Sequence, residues 1–394
     1  MDSYKVGQES LYIKDFGPLK DVEINDFKRF TFFVGESGSG KSTILKVLAM
    51  MRHIYKQLNL RSYLKSGNIG KSFDINFNTY LSNGGMTGYV HSGTSLVYRR
   101  YHGASEVTEI MYTSKSGLEG TRKSIPLAYL SLEKIAFLSD QRGAIASLLA
   151  HNSDGTVLGF YFRETFLDFM HATEAIKQID MPYLHIRYHE KKNGAGIRKF
   201  FIGNEDAYTP YDISFETASS GIQTTTPLTL TMEYFSKYFD IVKSTNQSVV
   251  NLLVMNDRLA SFRHDMNVGQ VTTRLIHLFI EEPELSLYPR VQRSIVNMLV
   301  GKSQSAEVPV TLTIATHSPY IINHLNLLMK AYDKGLEIEG ASLNYNDVGV
   351  YLVKDGQVID LKVQNAHLIN TECLSEDIND IYDTYDRLDA HLYD

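Results

Sequence analysis

A glycine-rich segment near the start of the chain stands between an apolar run and a helix-like pattern. Phe32-Phe33-Val34 is typical of a buried strand, and residues 43–51 carry apolar side chains at helical spacing. The segment between them reads Gly35, Glu36, Ser37, Gly38, Ser39, Gly40, Lys41 and Ser42. Such glycines let backbone N–H groups surround phosphate oxygens, while the lysine reaches the terminal phosphates and the serine hydroxyl can ligand Mg²⁺. The pattern predicts a phosphate-binding loop; an ordinary turn that begins a helix is the alternative.

A loop of this kind cannot account for nucleotide binding by itself. A helix terminus stabilises an anion by ~0.3–2 kcal/mol, whereas micromolar affinity needs about 8 kcal/mol. Lys41, Mg²⁺ and further groups must supply the difference. We therefore expect carboxylates and a sensor of the terminal phosphate elsewhere in the chain.

The expected carboxylates follow a short apolar run at residues 275–280, which ends in Glu281-Glu282-Pro283-Glu284. Ligands of open parallel sheets lie at the carboxyl ends of strands, and successive strand side chains point to opposite faces. The two adjacent acids can therefore take different roles. We predict that Glu281 belongs to the Mg²⁺ shell, directly or through water, and that Glu282 orients and deprotonates the attacking water. A solvated acidic turn is the alternative interpretation.

A second buried-strand pattern, residues 310–316, ends at His317. A histidine at this place can hydrogen-bond a γ-phosphate and so report its presence. An isolated histidine is more often structural, but the position just beyond a core strand favours the sensor.

Two weaker motifs complete the set. An apolar strand pattern before residue 140 is followed by Gln141, whose amide can touch Mg²⁺ or the attacking water. A small-residue turn, Ser219-Ser220-Gly221-Ile222-Gln223, precedes a helix predicted over residues 227–239. It can present Ser220 and backbone N–H groups to another phosphate. Either motif alone also fits an ordinary loop.

In their order along the chain, these five motifs resemble those of the ATP-binding-cassette (ABC) ATPase superfamily. The Glu-Glu-Pro-Glu and Ser-Ser-Gly-Ile-Gln forms are similar to the branch that contains chromosome-maintenance and recombination-repair ATPases and the overcoming-lysogenization-defect-like ATPases of bacterial defence systems. The resemblance spans residues 11–361. It implies an α/β fold, namely a P-loop NTPase of ABC type with an antiparallel β subdomain and a helical signature subdomain.

The resemblance also implies ATP and Mg²⁺ as ligands and a role for each motif residue. Glu282 corresponds to the catalytic glutamate, His317 to the switch histidine and Gln141 to the glutamine that senses metal or water. The signature is expected to contact the γ-phosphate held by a second protomer. The nucleotide-binding set is Gly35, Glu36, Ser37, Gly38, Ser39, Gly40, Lys41, Ser42, Thr43, Ser220, Gly221 and Gln223, and the metal set is Ser42, Gln141 and Glu281.

Several features separate the chain from transporter ATPases. Ile222 stands where the second signature glycine usually lies, and Glu281 replaces the more usual aspartate. Residues 243–269 form an additional segment between the signature and the acidic strand end. An adenine-stacking residue is less clear: Phe16 is the candidate, and a core phenylalanine is the alternative.

The motifs divide the chain into four regions. We expect an N-terminal ATPase lobe at 1–140 with the antiparallel β subdomain, whose strand-like pattern covers residues 73–113. A region at 141–270 carries a helix over 162–170 and a hairpin over 183–202 turning near Asn193-Gly194, with neither room nor heptad pattern for a long coiled coil. A C-terminal lobe at 271–370 holds the acids and the histidine. Residues 371–394 form an acidic amphipathic tail helix.

Two charged segments leave alternatives open. The predicted hairpin carries the basic residues His185, Arg187, His189, Lys191, Lys192, Arg198 and Lys199. They fit either contact with nucleic acid phosphates or a solvated face. The tail has a net charge of −7 within a chain of net charge −6. Its helix either docks a partner or packs on the core with its acidic face in water.

The cysteine content and the lack of long apolar segments indicate the cellular compartment. The single cysteine, Cys373, excludes an internal disulfide and fits a reducing compartment. The first residues lack signal-peptide features, and no apolar run approaches the ~18 residues that span a membrane. We therefore expect a cytoplasmic protein with no membrane partner.

These observations lead to one main functional hypothesis. We expect an ATP-hydrolysing, nucleotide-gated switch that forms a homodimer or higher oligomer through an ATP sandwich. The resemblance implies that it regulates DNA or a partner effector nuclease or toxin subunit in anti-phage defence. A scaffold that hydrolyses ATP slowly or not at all is the alternative, and a transporter ATPase subunit is a third hypothesis.

Overall fold

The computed structural model describes residues 8–66, 75–103, 106–151, 158–192, 194, 196–204, 210–255 and 268–390. The described helices are α1 Lys41–Ser66, α2 Phe77–Asn83, α3 Ile145–His151, α4 Phe160–Ala175, α5 Ser220–Lys237, α6 Ile241–Met255, α7 Pro289–Ser305, α8 Pro319–Asp333 and α9 Glu376–Ala390. The described strands are β1 Glu9–Phe16, β2 Leu19–Ile24, β3 Phe30–Val34, β4 Val90–His102, β5 Glu106–Thr113, β6 Gly117–Glu119, β7 Ser131–Leu138, β8 Gln178–Met181, β9 Ile186–Lys192, β10 Arg198–Gly203, β11 Asp212–Ser214, β12 Thr273–Glu281, β13 Val310–Thr316, β14 Val348–Lys354, β15 Gln357–Asp360, β16 Lys362–Val363 and β17 Leu368–Ile369.

The central sheet has six strands in the order β15-β14-β3-β13-β12-β7. All neighbours are parallel except the β14–β15 hairpin. Strands β3 and β13 are buried along their whole length, and the residues between their apolar side chains are threonines, whose β-branched side chains suit a strand. Ala315 pairs with Phe33 on one side and with Glu281 on the other. The register therefore brings the ends of β3, β13 and β12 to one edge of the sheet.

Each face of this sheet has its own core because strand side chains alternate. Phe33 and Ala315 face α1 and the N-terminal antiparallel sheet. Phe32, Val34 and Ile314 face the other side, where α5, α6, α7 and α8 pack. The predicted fold class is confirmed: an α/β fold carries the glycine-rich loop between β3 and α1, with an antiparallel sheet beside it.

The antiparallel subdomain is a five-stranded sheet in the order β2-β1-β4-β5-β6. The strand-like interpretation of residues 73–113 is right for Val90–His102 and Glu106–Thr113, on either side of the undescribed residues 104 and 105, but wrong for Phe77–Asn83, which forms α2. Asn76 caps that helix, because its side-chain oxygen accepts hydrogen bonds from two backbone N–H groups of the first turn. Residues 73 and 74 lie outside the described residues.

A second, four-stranded antiparallel sheet has the order β11-β10-β9-β8 and packs with α4. The predicted helix over 162–170 lies within α4. The predicted hairpin is formed by β9 and β10, although Pro182–Leu184 is a 3₁₀ turn ahead of it. Asn193, at the predicted hairpin turn, lies outside the described residues, as do residues 256–267 of the additional segment 243–269.

Helix α5 begins at Ser220, seven residues before the predicted start at Pro227. Proline removes one backbone donor from the helix interior, which favours a start at that residue. The tertiary core overrides this preference, since Leu228, Leu230 and Met232 on the same helix are 0% exposed. The signature motif therefore lies in the first turn of a long helix rather than in a separate turn.

A buried network of charges joins the antiparallel sheet to the central sheet. Glu9 on β1 pairs with Arg52 on α1 at 2.6 Å and also with Arg100 on β4. Arg100 pairs in turn with Glu133 on β7 at 3.0 Å, and His277 on β12 lies 3.4 Å from the same carboxylate. Two acids and two arginines balance, so the network fixes the packing of five elements without a net buried charge.

The tail forms helix α9, as predicted, but it does not pack on the core. Ile381, Tyr385 and Leu388 are 67%, 61% and 62% exposed. Cys373 and Leu374, just before the helix, are the tail residues that pack partly against the core. The interpretation of α9 as a helix covering its own core is therefore wrong, because its apolar stripe projects beyond the core it was expected to cover. Residues 391–394 lie outside the described residues.

The longest described helix is α1, with 26 residues. Neither it nor any other helix in the described ranges combines the length and apolar character that a membrane span requires. Within those ranges, residues 141–219 form short helices and strands in place of a long coiled coil.

Candidate functional site

The glycine-rich loop is fixed between β3 and the first turn of α1. Gly40 has a φ of +108°, and a Cβ at this position would lie 2.5 Å from Leu19 Cδ2. Its carbonyl accepts a hydrogen bond from Ile44 N at 3.0 Å, which starts the helix. Only glycine combines this positive φ with the absence of a Cβ atom. The turn brings the N-terminal N–H groups of α1 to the end of the sheet.

The Lys41 side chain is 4% exposed and lies inside the loop. Its Nζ donates hydrogen bonds to the carbonyls of Gly35 at 2.9 Å and Glu36 at 2.7 Å, and lies 3.3 Å from Nδ1 of His317. Burial lowers the pKa of Lys41 to about 8, against the opposing effect of nearby carboxylates, of which Glu282 is the strongest. The ammonium group is therefore held at the point where β3 and β13 end.

The two acids at the end of β12 have different surroundings. Glu281 is 4% exposed and lies beside the Ser42 side chain and the backbone of Asp140, and burial raises the pKa of its carboxyl group. Glu282 has a φ of +45°, and its N–H donates to Ala315 O at 2.8 Å. Its Oε1 atom lies 3.2 Å from Nε2 of His317. The turn at Glu282 thus separates the carboxylates, as the predicted difference in roles requires.

Glu284 holds His317 in place. Its Oε1 accepts hydrogen bonds from the backbone N–H of His317 at 2.6 Å and from Oγ1 of Thr316 at 2.8 Å. Burial raises the pKa of Glu284. The sequence interpretation gave this residue no role, although an acid two positions after Glu282, across a proline, was the available signal.

Gln141 lies in a 3₁₀ turn, Asp140–Ala144, directly after β7. Its side chain is exposed, and its backbone N–H donates to Ser139 Oγ at 3.2 Å. The next residue, Arg142, is 0% exposed and hydrogen-bonds to backbone carbonyls at the ends of β7 and β12 and in α5. The sequence interpretation overlooked Arg142, whose signal was a charged residue beside a motif glutamine at the end of a buried strand.

The signature residues lie apart from the loop within one chain. Ser220 is exposed at the first position of α5, and Gly221 packs against Ser286 just after the acids. The side-chain amide of Gln223 donates to the Glu216 carbonyl at 2.7 Å. The described contacts therefore join Lys41, Ser42, the acids and His317 into one cluster. None of the described contacts joins Ser220, Gly221 or Gln223 to Lys41.

Magnesium needs few protein ligands. Among the described residues, no group of three or more His, Cys, Asp or Glu side chains could hold a metal ion. Mg²⁺ is usually bound by one or two carboxylates together with substrate phosphates and water. The Ser42 hydroxyl and the neighbouring Glu281 carboxylate offer the hard oxygen ligands that Mg²⁺ prefers.

Two other sequence hypotheses can be compared with the structure. Phe16 is 0% exposed and packs edge-on against Tyr89, so it offers no face to an adenine ring. The basic hairpin carries ion pairs that neutralise much of its charge. These pairs are Arg187–Asp180, Lys191–Asp212 and Arg198–Glu190, and His189 also lies 2.8 Å from Asp212. They favour a solvated face over contact with nucleic acid.

Comparison with known proteins gives a match to the family described as an AAA domain over residues 10–142. No curated protein matches the sequence. The SMC head domain from Thermotoga maritima is similar at 12% identity, with 91% of this chain and 100% of that chain covered and a TM-score of 0.34. The recombination mediator protein RecF is similar at 10% identity, with 91% and 100% covered and a TM-score of 0.36.

A dimeric ATP-binding cassette in a post-hydrolysis state, bound to ADP and Pi, is similar at 12% identity, with 90% of this chain and 99% of that chain covered and a TM-score of 0.29. The family match includes β3, the glycine-rich loop and α1, and it ends at Arg142. The chain is thus similar to phosphate-loop ATPases over its first third.

Proposed function

We propose that this chain is an ATP-hydrolysing, nucleotide-gated switch that works as a dimer. Two copies sandwich two ATP molecules, and each nucleotide is held by the glycine-rich loop of one copy and the N-terminus of α5 of the other. Within each site, Lys41 and Ser42 bind the phosphates, and Glu282 activates the attacking water. His317 contacts the terminal phosphate.

The contact chain from Lys41 through His317 to Glu282 is the observation that carries this proposal. The Nδ1 atom of His317 lies 3.3 Å from the lysine ammonium, and its Nε2 atom lies 3.2 Å from the glutamate carboxylate. A cation, an imidazole and a carboxylate therefore meet where three parallel strands end. This is the set of groups needed to bind a terminal phosphate and to place water beside it.

The residues of the cluster divide the reaction between them. Phosphate oxygens can replace the Gly35 and Glu36 carbonyls as acceptors for Lys41, because a charged acceptor gives a stronger hydrogen bond to an ammonium group than a neutral carbonyl does. Glu282 and His317 are both about one-third exposed, at 33% and 31%. Each can therefore contact a reactant: the carboxylate takes the proton of the water, and the imidazole hydrogen-bonds the phosphate that is leaving.

Ser42 and Glu281 are the residues that would hold Mg²⁺. The bound ion would neutralise phosphate charge as it develops. Burial raises the pKa of Glu281, and a nearby cation favours the ionised carboxylate. Glu281 is therefore matched to a divalent cation, whereas the more exposed Glu282 remains available to water.

Dimerisation is supported by the position of the signature. Ser220 lies exposed at the N-terminus of α5, a helix of 18 residues whose first N–H groups can meet an anion. The contacts of one chain leave it apart from Lys41. A second copy can supply this helix end to the phosphates, which would make ATP part of the interface.

The proposed output is regulation of DNA or of a partner effector nuclease or toxin subunit in anti-phage defence. It is supported by the resemblance of the Glu-Glu-Pro-Glu and Ser-Ser-Gly-Ile-Gln motifs to that branch of ATPases. The exposed apolar stripe of α9 is an additional surface for a protein partner. The basic residues of the hairpin are paired with acids, so the structure supports a protein partner better than it supports DNA binding.

The decisive experiment is the substitution Glu282→Gln. The amide keeps the shape of the side chain but cannot take a proton, so phosphate release should fall by about 100-fold or more. ATP binding should persist, and size-exclusion chromatography with ATP should show a larger dimer fraction than for the unmodified chain. Unchanged turnover in this variant would refute the assignment of Glu282.

A scaffold that binds ATP without appreciable hydrolysis is the second candidate, favoured by the unpartnered apolar face of α9. The two functions differ in phosphate release. If the unmodified chain releases phosphate no faster than Lys41→Ala under the same conditions, the scaffold is the better description. Release well above that background supports the ATPase.

A further inference from the structure

Arg142 is a fully buried arginine whose guanidinium group hydrogen-bonds to three separate segments. Its Nη1 donates to Ser139 O at 3.1 Å and to Glu281 O at 2.6 Å, and its Nη2 donates to Glu282 O at 2.5 Å. Its Nε donates to Thr224 O in α5 at 3.0 Å. Burying a charge is unfavourable unless it is hydrogen-bonded, so a group in this position must be held by all of these carbonyls together.

Arg142 connects two parts of the structure, and the first of them is the backbone of Glu282. The residue has a φ of +45°, a conformation that L-amino acids adopt only when their surroundings enforce it. Its N–H is held by Ala315 O and its carbonyl by Arg142. These two hydrogen bonds stabilise the turn that aims the Glu282 carboxylate at His317.

The second part that Arg142 connects is the beginning of α5. Thr224 accepts from Arg142 through its carbonyl, while its Oγ1 donates to Leu285 O at 3.0 Å. A Cβ added to Gly221 would lie 2.8 Å from Ser286 O, so this part of α5 lies close against the segment after Glu282. A displacement of the α5 N-terminus therefore shifts the carbonyl that Arg142 binds.

Arginine is suited to this position in a way that lysine is not. Its planar fork has five donors in fixed directions, whereas an ammonium group is a compact charge on a flexible stem. Four carbonyls on three segments can be bound at once only by the fork. A buried lysine at the same place would leave carbonyl groups without donors.

We propose that Arg142 is a positioning residue that transmits engagement of the α5 N-terminus to the backbone of Glu282. The inference rests on the proposed function, in which α5 binds the ATP held by the other copy. When ATP in the second copy fixes the α5 N-terminus, Arg142 holds the Glu282 turn in its active conformation. Hydrolysis in one site thereby depends on nucleotide in the other.

The test compares Arg142→Lys with a matched control, Arg163→Lys, on the neighbouring helix α4, where the arginine is 54% exposed. For Arg142→Lys we expect kcat to fall by about 100-fold, because small misplacement of a catalytic group has effects of that size. The dissociation constant for ATP should stay within about threefold, and the Hill coefficient for ATP should approach one. The control should match the unmodified chain in all three measurements.

A double-mutant cycle with Ser220→Ala separates coupling from general damage. If Arg142 carries the position of α5 to Glu282, the double variant should lose no more kcat than the worse single variant. Losses that multiply would show that the two residues act independently, and the inference would be overturned. A folded Arg142→Lys variant whose ATP affinity falls by as much as its kcat would overturn it as well, since this result indicates general damage to the site.

A second variant covers the case in which Arg142→Lys does not fold. Thr224→Val removes the hydroxyl hydrogen bonds to the carbonyls of Leu285 and Gly221 and keeps the side-chain shape. It should lower kcat with ATP affinity retained, and it should also be non-additive with Ser220→Ala; additive losses would overturn the inference.

Glu282→Gln shows whether a negative result refutes only the coupling through Arg142 or also the proposed ATPase function. If this variant loses turnover while Arg142→Lys keeps it, the coupling inference fails alone. If Glu282→Gln keeps turnover, the proposed function and the inference fail together.

Discussion

The imidazole of His317 lies between two charged groups, with Nε2 3.2 Å from the Glu282 carboxylate and Nδ1 3.3 Å from the Lys41 ammonium. Glu282 and His317 directly follow the parallel strands β12 and β13, whereas Lys41 begins α1 after the loop that follows β3. Lys41 and His317 are 276 positions apart in the sequence. A terminal phosphate placed in this cluster would touch a cation and an imidazole, with a carboxylate beside it.

ATP affinity should depend on pH through Lys41. Burial lowers the pKa of Lys41 to about 8, so the ammonium loses its proton above that pH when no anion is bound. ATP binds the charged form better. The dissociation constant should therefore rise above about pH 8, approaching tenfold per pH unit.

Titration of a fluorescent ATP analogue between about pH 7 and about pH 9.5 measures this effect. Lys41→Arg is the control, since a guanidinium group stays charged over that range and its pH profile should be flat. A flat profile in the unmodified chain would contradict the prediction.

Glu284 should act through its hydrogen bonds and not through its charge. Burial raises the pKa of Glu284, and its Oε1 holds the backbone of His317 and the hydroxyl of Thr316. Glu284→Gln keeps an acceptor oxygen and should retain kcat within about threefold. Glu284→Ala removes the acceptor and should lower kcat by about 10-fold to 100-fold at unchanged ATP affinity. Equal damage by both variants, measured by phosphate release, would show that the charge is needed.

The buried His277 should make the chain less stable at mildly acidic pH. Burial lowers the pKa of His277 to about 3, below the usual value of 6.5 that the unfolded chain retains. Between those values the unfolded state binds a proton that the folded state does not. The contribution of neutral His277 to the free energy of unfolding is therefore fully present above about pH 6.5. It falls by about 1.4 kcal/mol per pH unit as the pH decreases below that value.

Urea unfolding at about pH 7 and at about pH 5 measures this loss, in a range where Glu133 is ionised in both states. Arg52, Arg100 and Glu133 surround the imidazole, and Thr311 Oγ1 lies 2.9 Å from its Nδ1 atom. His277→Gln should show a weaker pH dependence, by about one proton. An identical dependence in the variant and the unmodified chain would contradict the assignment.

The apolar stripe of α9 should contribute little to the stability of the single chain. Ile381, Tyr385 and Leu388 are exposed, so their combined replacement by serine should change the thermal midpoint by no more than about 2 °C. Phosphate release should also be unaffected. Leu325→Ser is the contrast, since that side chain on α8 is 0% exposed and its loss should be strongly destabilising. A large drop in the triple variant would mean that α9 packs on its own chain.

Much of the site could be predicted from the sequence because its residues follow strands whose apolar and β-branched side chains are typical of buried strands. The glycine-rich loop, the two acids and the histidine each come directly after such a strand, and the β3–β13–β12 register aligns them. Helix α2 and the start of α5 were mispredicted, because an asparagine cap and core packing outweighed local patterns. The sequence left two alternatives for α9, since an amphipathic pattern does not say which surface covers the apolar face.

The sequence by itself determined the α/β fold class, the phosphate-binding loop and the residue types that gather around it, because periodicity and glycine chemistry act locally. Only the tertiary structure decided that Glu284 holds His317 and that Arg142 joins α5 to the Glu282 turn. Those contacts run from side chains to backbone groups 33, 82 and 140 positions away. Backbone carbonyl and N–H groups are the same at every position, so no sequence pattern identifies which of them a buried side chain will bind.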